Sequence, residues 1–256
     1  MVTAPLHIGL VGCGSRGLSI FERLLSLGEE RPDQPVVIDI FDPNVLGSGA
    51  HWPDQPDYLL LNTVAGQLGV FPDAAAFGSL TDARERPGAD FLTWCREQRI
   101  KVDPHSGLIA AEGRDVEPQD FLPRHLLGAY LTEAFAQILA TAPQWVTVNL
   151  HQQAVTAVER NEAQQYVLQT ASGAAVCVDR LILTVGHTGR VRGAEHNRID
   201  DVYPLPDSLD TIEPGETVLI EGLGLGAMDT LAALTSGRGG SYKRMADASH
   251  AYQPSG

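Results

Sequence analysis

The residues with the clearest capacity for chemistry are Gly12-Cys13-Gly14-Ser15-Arg16-Gly17, a G-x-G-x-x-G run between the apolar segment LHIGLV (6–11) and a helical pattern. Strand, glycine turn and helix in that order make a cradle for a dinucleotide diphosphate. Gly12 permits the tight turn, Gly14 lets the backbone approach the diphosphate, and Gly17 lets helix and strand pack closely. The amide groups and dipole of the helix start, at Ser15 and Arg16, then hold the anion. Asp42 follows the next apolar run, VVIDIF (36–41). A carboxylate there accepts hydrogen bonds from ribose hydroxyls and repels a 2′-phosphate. The interval from Gly17 to Asp42 exceeds the usual ~20 residues, and a polar stretch at 28–35 accounts for the excess.

A second fingerprint, Gly222-Leu223-Gly224-Leu225-Gly226-Ala227, follows TVLIEG, with alanine in place of the third glycine. It is either a second dinucleotide site or a turn that only packs strand on helix. Other candidates are more dispersed. His51 and Trp52 lie in a glycine-rich loop closed by Asn62 and Thr63, where an amide and a hydroxyl could satisfy the polar edge of an isoalloxazine or simply cap turns. Thr184-Val185-Gly186 ends an apolar run, and glycine there lets backbone pass close to a flavin. Val155, on a β run, joins the cofactor-binding candidates. His187 is a proton carrier or a plain loop histidine, the commoner case. Arg124 meets a phosphate or substrate carboxylate, or lies on the surface as most arginines do. No residue is assigned as catalytic. Metal-ligand spacing and G-x-S-x-G are both absent from the sequence, so neither metal hydrolysis nor serine esterase chemistry has support.

The elements that must position these groups follow from hydrophobic period. Leu18, Phe21, Leu24 and Leu25 form one side of the first helix, and the polar break GEERPDQP leads to VVIDIF, completing a βαβ unit by residue 42. Residues 44–72 show no sustained period yet hold Leu59, Leu60 and Leu61, which predicts a partly buried functional loop. Helices are predicted near 89–98 and 123–140, the latter from Leu126, Leu127, Tyr130, Leu131, Ala134, Phe135 and Ile138. Short β runs follow: WVTVNL, AVTAVER, QQYVLQTA, a Ser172-Gly173 turn, AAVCV and RLILTVG, of which the middle three predict an antiparallel meander. The last tract, 237–256, predicts a glycine turn and a hairpin. A meander placed before a buried strand ending in Thr-Val-Gly has the topology of the flavoprotein class typified by glutathione reductase. The fold class is therefore α/β: a Rossmann-like FAD-binding fold over 1–190, a linker at 191–216, and a partial NAD(P)-binding fold with its own strand, turn and helix over 217–256.

Bulk properties exclude other classes. The 32 acidic against 18 basic residues leave a formal charge of −14, which opposes the counterion release that nucleic-acid binders exploit. No apolar stretch approaches the roughly 18 residues of a membrane span, and the N-terminus lacks signal-peptide layout, so cytoplasm is the expected location. Cys13, Cys95 and Cys177 are widely separated and predict reduced, mostly buried thiols.

Taken together, HIGLVGCGSRGLSIFERLL, FDPNVLGSGAHWPDQPDYLLLNTVAGQLGVFPD, FLPRHLLGAYL, LILTVGHTG, VLIEGLGLGAMDTLAALTSGRGGSYKR and YQPSG resemble the FAD/NAD(P)-binding proteins of largely unassigned function. These are relatives of the N-hydroxylating and flavin-containing monooxygenases. The resemblance implies FAD on the first fold through Gly12, Gly14, Gly17 and Asp42, with Trp52, Asn62 and Thr63 near the flavin. It implies NAD(P)H on the second through Gly222, Gly224 and Gly226. Some relatives oxidise the amino group of small amino acids. Members normally continue past the YQPSG segment, so part of the nicotinamide fold and the returning part of the FAD fold are expected to be missing here.

Two functions stay open at this stage. One is a flavin-dependent oxidoreductase, an NAD(P)H-dependent monooxygenase acting on a small polar or amino-acid-like substrate. The other is a non-catalytic FAD- or nucleotide-binding module that requires a partner chain. The TVLIEG strand and AMDTLAALT helix are expected to leave apolar surface uncovered, and residues 217–256 therefore to self-associate or to dock a partner.

Overall fold

The computed structural model describes residues 4–28, 34–77, 85–104, 106–186, 198–247 and 249–255. In chain order the elements are β1 (Leu6–Val11), α1 (Ser15–Gly28), β2 (Val36–Phe41), α2 (Ala74–Phe77), α3 (Phe91–Glu97), β3 (Lys101–Val102), β4 (Arg114–Asp115), α4 (Arg124–Ala140) and β5 (Val146–His151). They continue with β6 (Val155–Arg160), β7 (Tyr166–Thr170), β8 (Ala175–Val178), β9 (Arg180–Leu183), α5 (Leu225–Leu234), β10 (Ser241–Arg244) and β11 (His250–Gln253). The βαβ unit, the helix of 123–140 and the meander all form where hydrophobic period placed them.

The central sheet has the order β5-β2-β1-β9 and is wholly parallel, with Ile8 facing Ile38 on one side and Arg180 on the other. Its middle strands are covered on both faces, the condition for a stable parallel sheet. On one face Leu10, Ile38 and Ile40 pack against Leu18, Phe21 and Leu25 of α1 and Leu131, Phe135 and Ile138 of α4. The rings of Phe21 and Phe135 lie 5.8 Å apart. Each such fully buried side chain stabilises the fold by about 1.5–3 kcal/mol.

The opposite face carries the meander β6-β7-β8, which sets Leu168 and Val178 against Val11 and Phe41. Gly9 belongs to this face: a Cβ there would stand 2.9 Å from Leu168. Alternation along β1 thus sends Leu10 to the helices and Val11 to the meander.

Local chemistry sets the boundaries of the helices that complete this layer. Asp90 caps α3 by accepting a 2.7 Å hydrogen bond from the Thr93 amide, so the helix begins at Phe91 rather than at 89. Pro123 precedes α4, where its missing N–H removes one of the donors that a helix start leaves unsatisfied. Cys13 and Cys95 are buried, while Cys177, on the outer side of β8, is exposed.

The expected strand at 217–222 does not form. Residues 217–223 have no ladder partner, and Leu219 and Leu223 are 93% and 83% exposed. A strand needs a neighbour to satisfy its amides and carbonyls, and none among the described residues adjoins this segment. The hairpin expected near the end is present as β10-β11, with Tyr242 opposite Tyr252. Within the tract expected to be a linker, residues 207–209 make a turn of 3-10 helix, and Leu205 and Leu209 are buried with Leu59 and Ala233.

Candidate functional site

The first glycine turn lies where β1 meets α1, at the C-terminal edge of the parallel sheet, the edge at which open α/β sheets bind ligands. Gly12 has φ +91°, and its amide donates to the Phe41 carbonyl at 2.8 Å. A Cβ on Gly12 would stand 2.3 Å from the Thr184 carbonyl oxygen, and one on Gly17 would stand 2.2 Å from the Gly12 oxygen. Both positions therefore exclude a side chain on backbone grounds alone. Thr184 clamps the turn from β9, its hydroxyl donating to the Gly12 carbonyl at 2.6 Å and its amide to Val11 at 2.8 Å.

The start of α1 is open. Ser15 and Arg16 are exposed, and no acidic side chain sits in the first turn to occupy its free amides. A helix start with unsatisfied N–H groups, no competing carboxylate and a guanidinium at its second residue suits an anionic diphosphate. These residues fit the dinucleotide that the glycine pattern implies.

Asp42 is 5% exposed and does more than its spacing revealed. One carboxylate oxygen accepts the Cys13 amide at 2.7 Å and the other accepts the Asn44 amide at 2.9 Å. It ties the glycine turn to the chain leaving β2, and a carboxylate with about four acceptor sites keeps capacity for a ligand hydroxyl. Burial, then the Asp42 charge, push the Cys13 thiol up to about 12. It stays a neutral thiol, and a thiolate at the turn is excluded.

Loop 44–52 is held between the turn and α4 by close backbone approaches. The Gly47 amide donates to Cys13 at 2.8 Å, and a Cβ on Gly49 would stand 2.7 Å from the Gly14 Cα. On the helix side, a Cβ on Gly47 would meet the Leu131 carbonyl at 2.5 Å and one on Gly128 the His51 carbonyl at 1.7 Å. Gly47, Gly49 and Gly128 were missed in the sequence. The positive φ values of the first two, +93° and +56°, could have been suspected from the short Gly-Ser-Gly run.

The dispersed candidates fare unequally. Val155, half-buried, packs with Val11 and Phe41 at the strand ends beside the turn. Trp52 is 38% exposed and Asn62 is exposed, while Thr63 is half-buried. The strap that precedes Asn62 is fixed by the Leu61 amide donating to Leu122 at 2.8 Å. Gly186 is exposed with φ +75° and open space around it. His187 lies outside the described residues. His51 is half-buried, its Nδ1 has no hydrogen-bond partner among the described residues, and burial together with the nearby Arg124 hold its pKa below 6.5.

Arg124 is not the surface arginine that base composition favours. Its side chain is only 13% exposed, and its guanidinium donates to both oxygens of Asp229, at 2.7 and 3.0 Å, and to the Leu60 carbonyl at 3.0 Å. The Tyr203 hydroxyl donates to the same Asp229 carboxylate. Arg124 and Asp229 are 105 residues apart, a separation at which no local pattern could pair them.

A second buried polar group also escaped the sequence. Asp39, 4% exposed within β2, accepts from Asn149 at 3.0 Å and pairs with His151 at 2.9 Å, and the His151 ring stacks on Phe41 at 4.3 Å. Among the described residues no three His, Cys, Asp or Glu side chains come together as a metal site, and no helix is long and apolar enough to cross a membrane.

The second glycine turn differs in kind. Gly222 has φ +104°, Gly224 stands at the N-cap of α5, and neither has an atom within 4 Å of where a Cβ would be. Gly226 meets only Val202, at 3.6 Å. Among the described residues the strand expected to feed this turn is not formed, and no sheet edge adjoins the turn.

Comparison with known proteins accords with the first turn. An L-aspartate N-monooxygenase (nitrosuccinate-forming) of Streptomyces davaonensis is 32% identical, over 96% of this chain and 41% of the relative. One of the same name from Streptomyces cremeus is 31% identical, over 100% of this chain and again 41% of the relative. The chain thus spans about 41% of the length of these curated relatives. Among solved structures, a flavin-containing monooxygenase from Stenotrophomonas maltophilia aligns with 72% of this chain and 39% of its own, at 16% identity and a TM-score of 0.40. Residues 9–188, from within β1 to just past Gly186, match the FAD-NAD(P)-binding family profile. On that match, over a span that holds the first glycine turn, Asp42 and Thr184, the chain belongs to the FAD-NAD(P)-binding family.

Proposed function

We propose that this chain is the FAD-holding part of a flavin-dependent monooxygenase that draws reducing equivalents from NAD(P)H and acts on the amino group of a small amino-acid-like substrate. The observation that carries the cofactor is the open start of α1, presented by a glycine turn that Thr184 clamps beside Asp42. The substrate class rests on the two L-aspartate N-monooxygenases, each more than 30% identical to this chain.

In this reading Gly12, Gly14, Ser15, Arg16 and Gly17 hold the diphosphate through backbone amides, and Asp42 accepts from the ribose. Val155 stands beside the turn, and Trp52, Asn62, Thr63 and Thr184-Val185-Gly186 at the end of β9 border the flavin. The flavin, when bound, supplies the redox chemistry that no side chain here can. The protein's own share is placement and protonation. Loop 44–52, pressed between the turn and α4, closes one side of the cradle, Cys13 remains an inert thiol, and His51 remains neutral at pH 7. NAD(P)H is assigned to Gly222, Gly224 and Gly226. The corresponding division is 1–190 for FAD, 191–216 as connection and 217–256 as part of the NAD(P)-binding fold.

The test uses the full chain. Protein titrated with FAD should give a yellow complex that retains the flavin through gel filtration, and adding NADPH or NADH under anaerobic conditions should bleach the flavin band. No uptake of FAD removes the proposal; uptake without bleaching leaves a nucleotide-binding module that depends on a partner. That second reading has its own support in the exposure of Leu219, Leu223, Leu225, Met228 and Leu231. If these residues are covered by a second copy or a partner chain, light scattering of the isolated chain will show a dimer or aggregation that a chain ending near residue 190 lacks.

A further inference from the structure

Arg124 sits where four segments meet. Its Nε donates to Leu60 in the strap after the glycine-rich loop, and its two terminal nitrogens engage both oxygens of Asp229 on α5, two residues beyond Ala227 of the second turn. Tyr203, from the segment that leads to that turn, completes the group through Asp229. Beneath it Leu59, Leu205, Leu209 and Ala233 form a small apolar cluster, and the Tyr58 ring lies against Gly237, where a Cβ would stand 2.8 Å away.

The rest of this seam is poorly matched. Two buried polar atoms on the facing loop, His51 Nδ1 and Tyr58 Oη, have no hydrogen-bond partner among the described residues. Buried polar atoms without partners weaken a contact, and the apolar patch is small and has no preferred rotation. Among the described residues, orientation of α5 against this loop therefore falls to the directional contacts of Arg124 with Asp229 and Leu60 and of Tyr203 with Asp229. A planar guanidinium held by a carboxylate on one edge and a carbonyl on the other fixes both distance and angle.

We propose that Arg124 is a positioning residue: through Asp229 and Tyr203 it sets the start of α5, and with it the second glycine turn, against the loop that packs on the first. Its meaning for nicotinamide delivery rests on the assignment of NAD(P)H to the second turn, whereas the clamp itself does not. The charges of the pair cancel, and with the guanidinium so engaged Arg124 does not serve as a receptor for a substrate carboxylate. That role was open in the sequence.

The experiment compares Asp229→Asn, Asp229→Glu and Arg124→Lys with the unaltered full chain, by amide hydrogen exchange without ligand and then by FAD content and NAD(P)H titration. In Asp229→Asn the amides of α5 should exchange roughly ten- to a hundredfold faster, since one partner of a largely buried pair is left uncompensated. Amides of β1 should keep their protection. Asp229→Glu should restore much of the protection of α5; Arg124→Lys, unable to span both oxygens and Leu60, should not. FAD content should stay at the unaltered level while NAD(P)H binds at least tenfold more weakly. Unchanged protection of α5 in Asp229→Asn overturns the inference, as does an equal loss in β1, which would make the pair an ordinary contribution to global stability. Should Asp229→Asn fail to fold, Tyr203→Phe, which removes one hydroxyl, gives the same contrast at smaller size. If the unaltered chain takes up no NAD(P)H, the nicotinamide assignment fails and the exchange data still decide the clamp.

Discussion

Two glycine turns of nearly the same sequence pattern stand in this chain, and they are built differently. In the first, every glycine is hemmed in by backbone: Gly12 by Thr184, Gly14 by Gly49, Gly17 by Gly12 itself. In the second, Gly222 and Gly224 face open space. The first turn is fed by a strand with neighbours on both sides and braced by Asp42 and Thr184, whereas residues 217–223 have no ladder partner among the described residues. A glycine fingerprint thus specifies a backbone conformation and little else. Whether that conformation is locked depends on what the rest of the fold brings to it.

The sharpest way to break the comparison is the same substitution in both turns. Gly17→Ala places a methyl 2.2 Å from the Gly12 carbonyl and 2.8 Å from the Thr184 hydroxyl. Overpacking against backbone should cost about 3 kcal/mol in urea unfolding. Gly224→Ala meets nothing within 4 Å and should change stability by no more than ~0.5 kcal/mol. Equal effects at the two sites would show that the turns are equally packed and that the contrast is mistaken.

Asp42→Ala tests the brace. It leaves the Cys13 and Asn44 amides without their acceptor, at a cost of about 1.5–3 kcal/mol for hydrogen bonds to a charged group. FAD affinity should fall by a similar free energy, roughly ten- to a hundredfold. Asp42→Asn, which keeps one acceptor oxygen, should lose less of both. A normal fold with normal flavin affinity in Asp42→Ala would mean that the turn needs no brace.

The smallest effect concerns His51, which links the two regions by lying near Arg124. Its pKa in the fold is below 6.5, chiefly through burial and then through Arg124. The unfolded chain therefore binds the proton more readily, so stability from the neutral ring is complete above pH 6.5 and is lost as pH falls through the folded value. His51→Gln should flatten the decline in unfolding free energy between pH 7.5 and 5.5 relative to the unaltered chain. An identical slope in both proteins would place His51 outside the seam.

Much of the first region was legible beforehand, and the reasons are local. Strand, turn and helix at 6–28 are encoded by an apolar run, three glycines at fixed offsets and a repeat of three and four residues, all within one short segment. The meander was legible from alternation and the Ser172-Gly173 turn. At 217–222 the same kind of evidence misled: TVLIEG has the composition of a buried strand, but β propensity describes fitness for a sheet and cannot supply one. Arg124 failed for a related reason. Its partner lies on another helix, and an arginine beside Pro123 carries no sign of what will later be folded against it.

By itself the sequence determined the α/β class, the placement of the first dinucleotide turn, its acidic partner Asp42 and the meander over the sheet, because each is written in contiguous residues whose spacing matches a backbone period. Only the tertiary structure decided that Thr184 clamps Gly12, that Gly49 approaches Gly14, that Asp39 takes its partners from β5, and that Arg124 joins Asp229 across 105 residues. Those contacts depend on distances between elements. Such distances are set when sheet, helices and meander pack to fill space together, and no run of neighbouring residues records them.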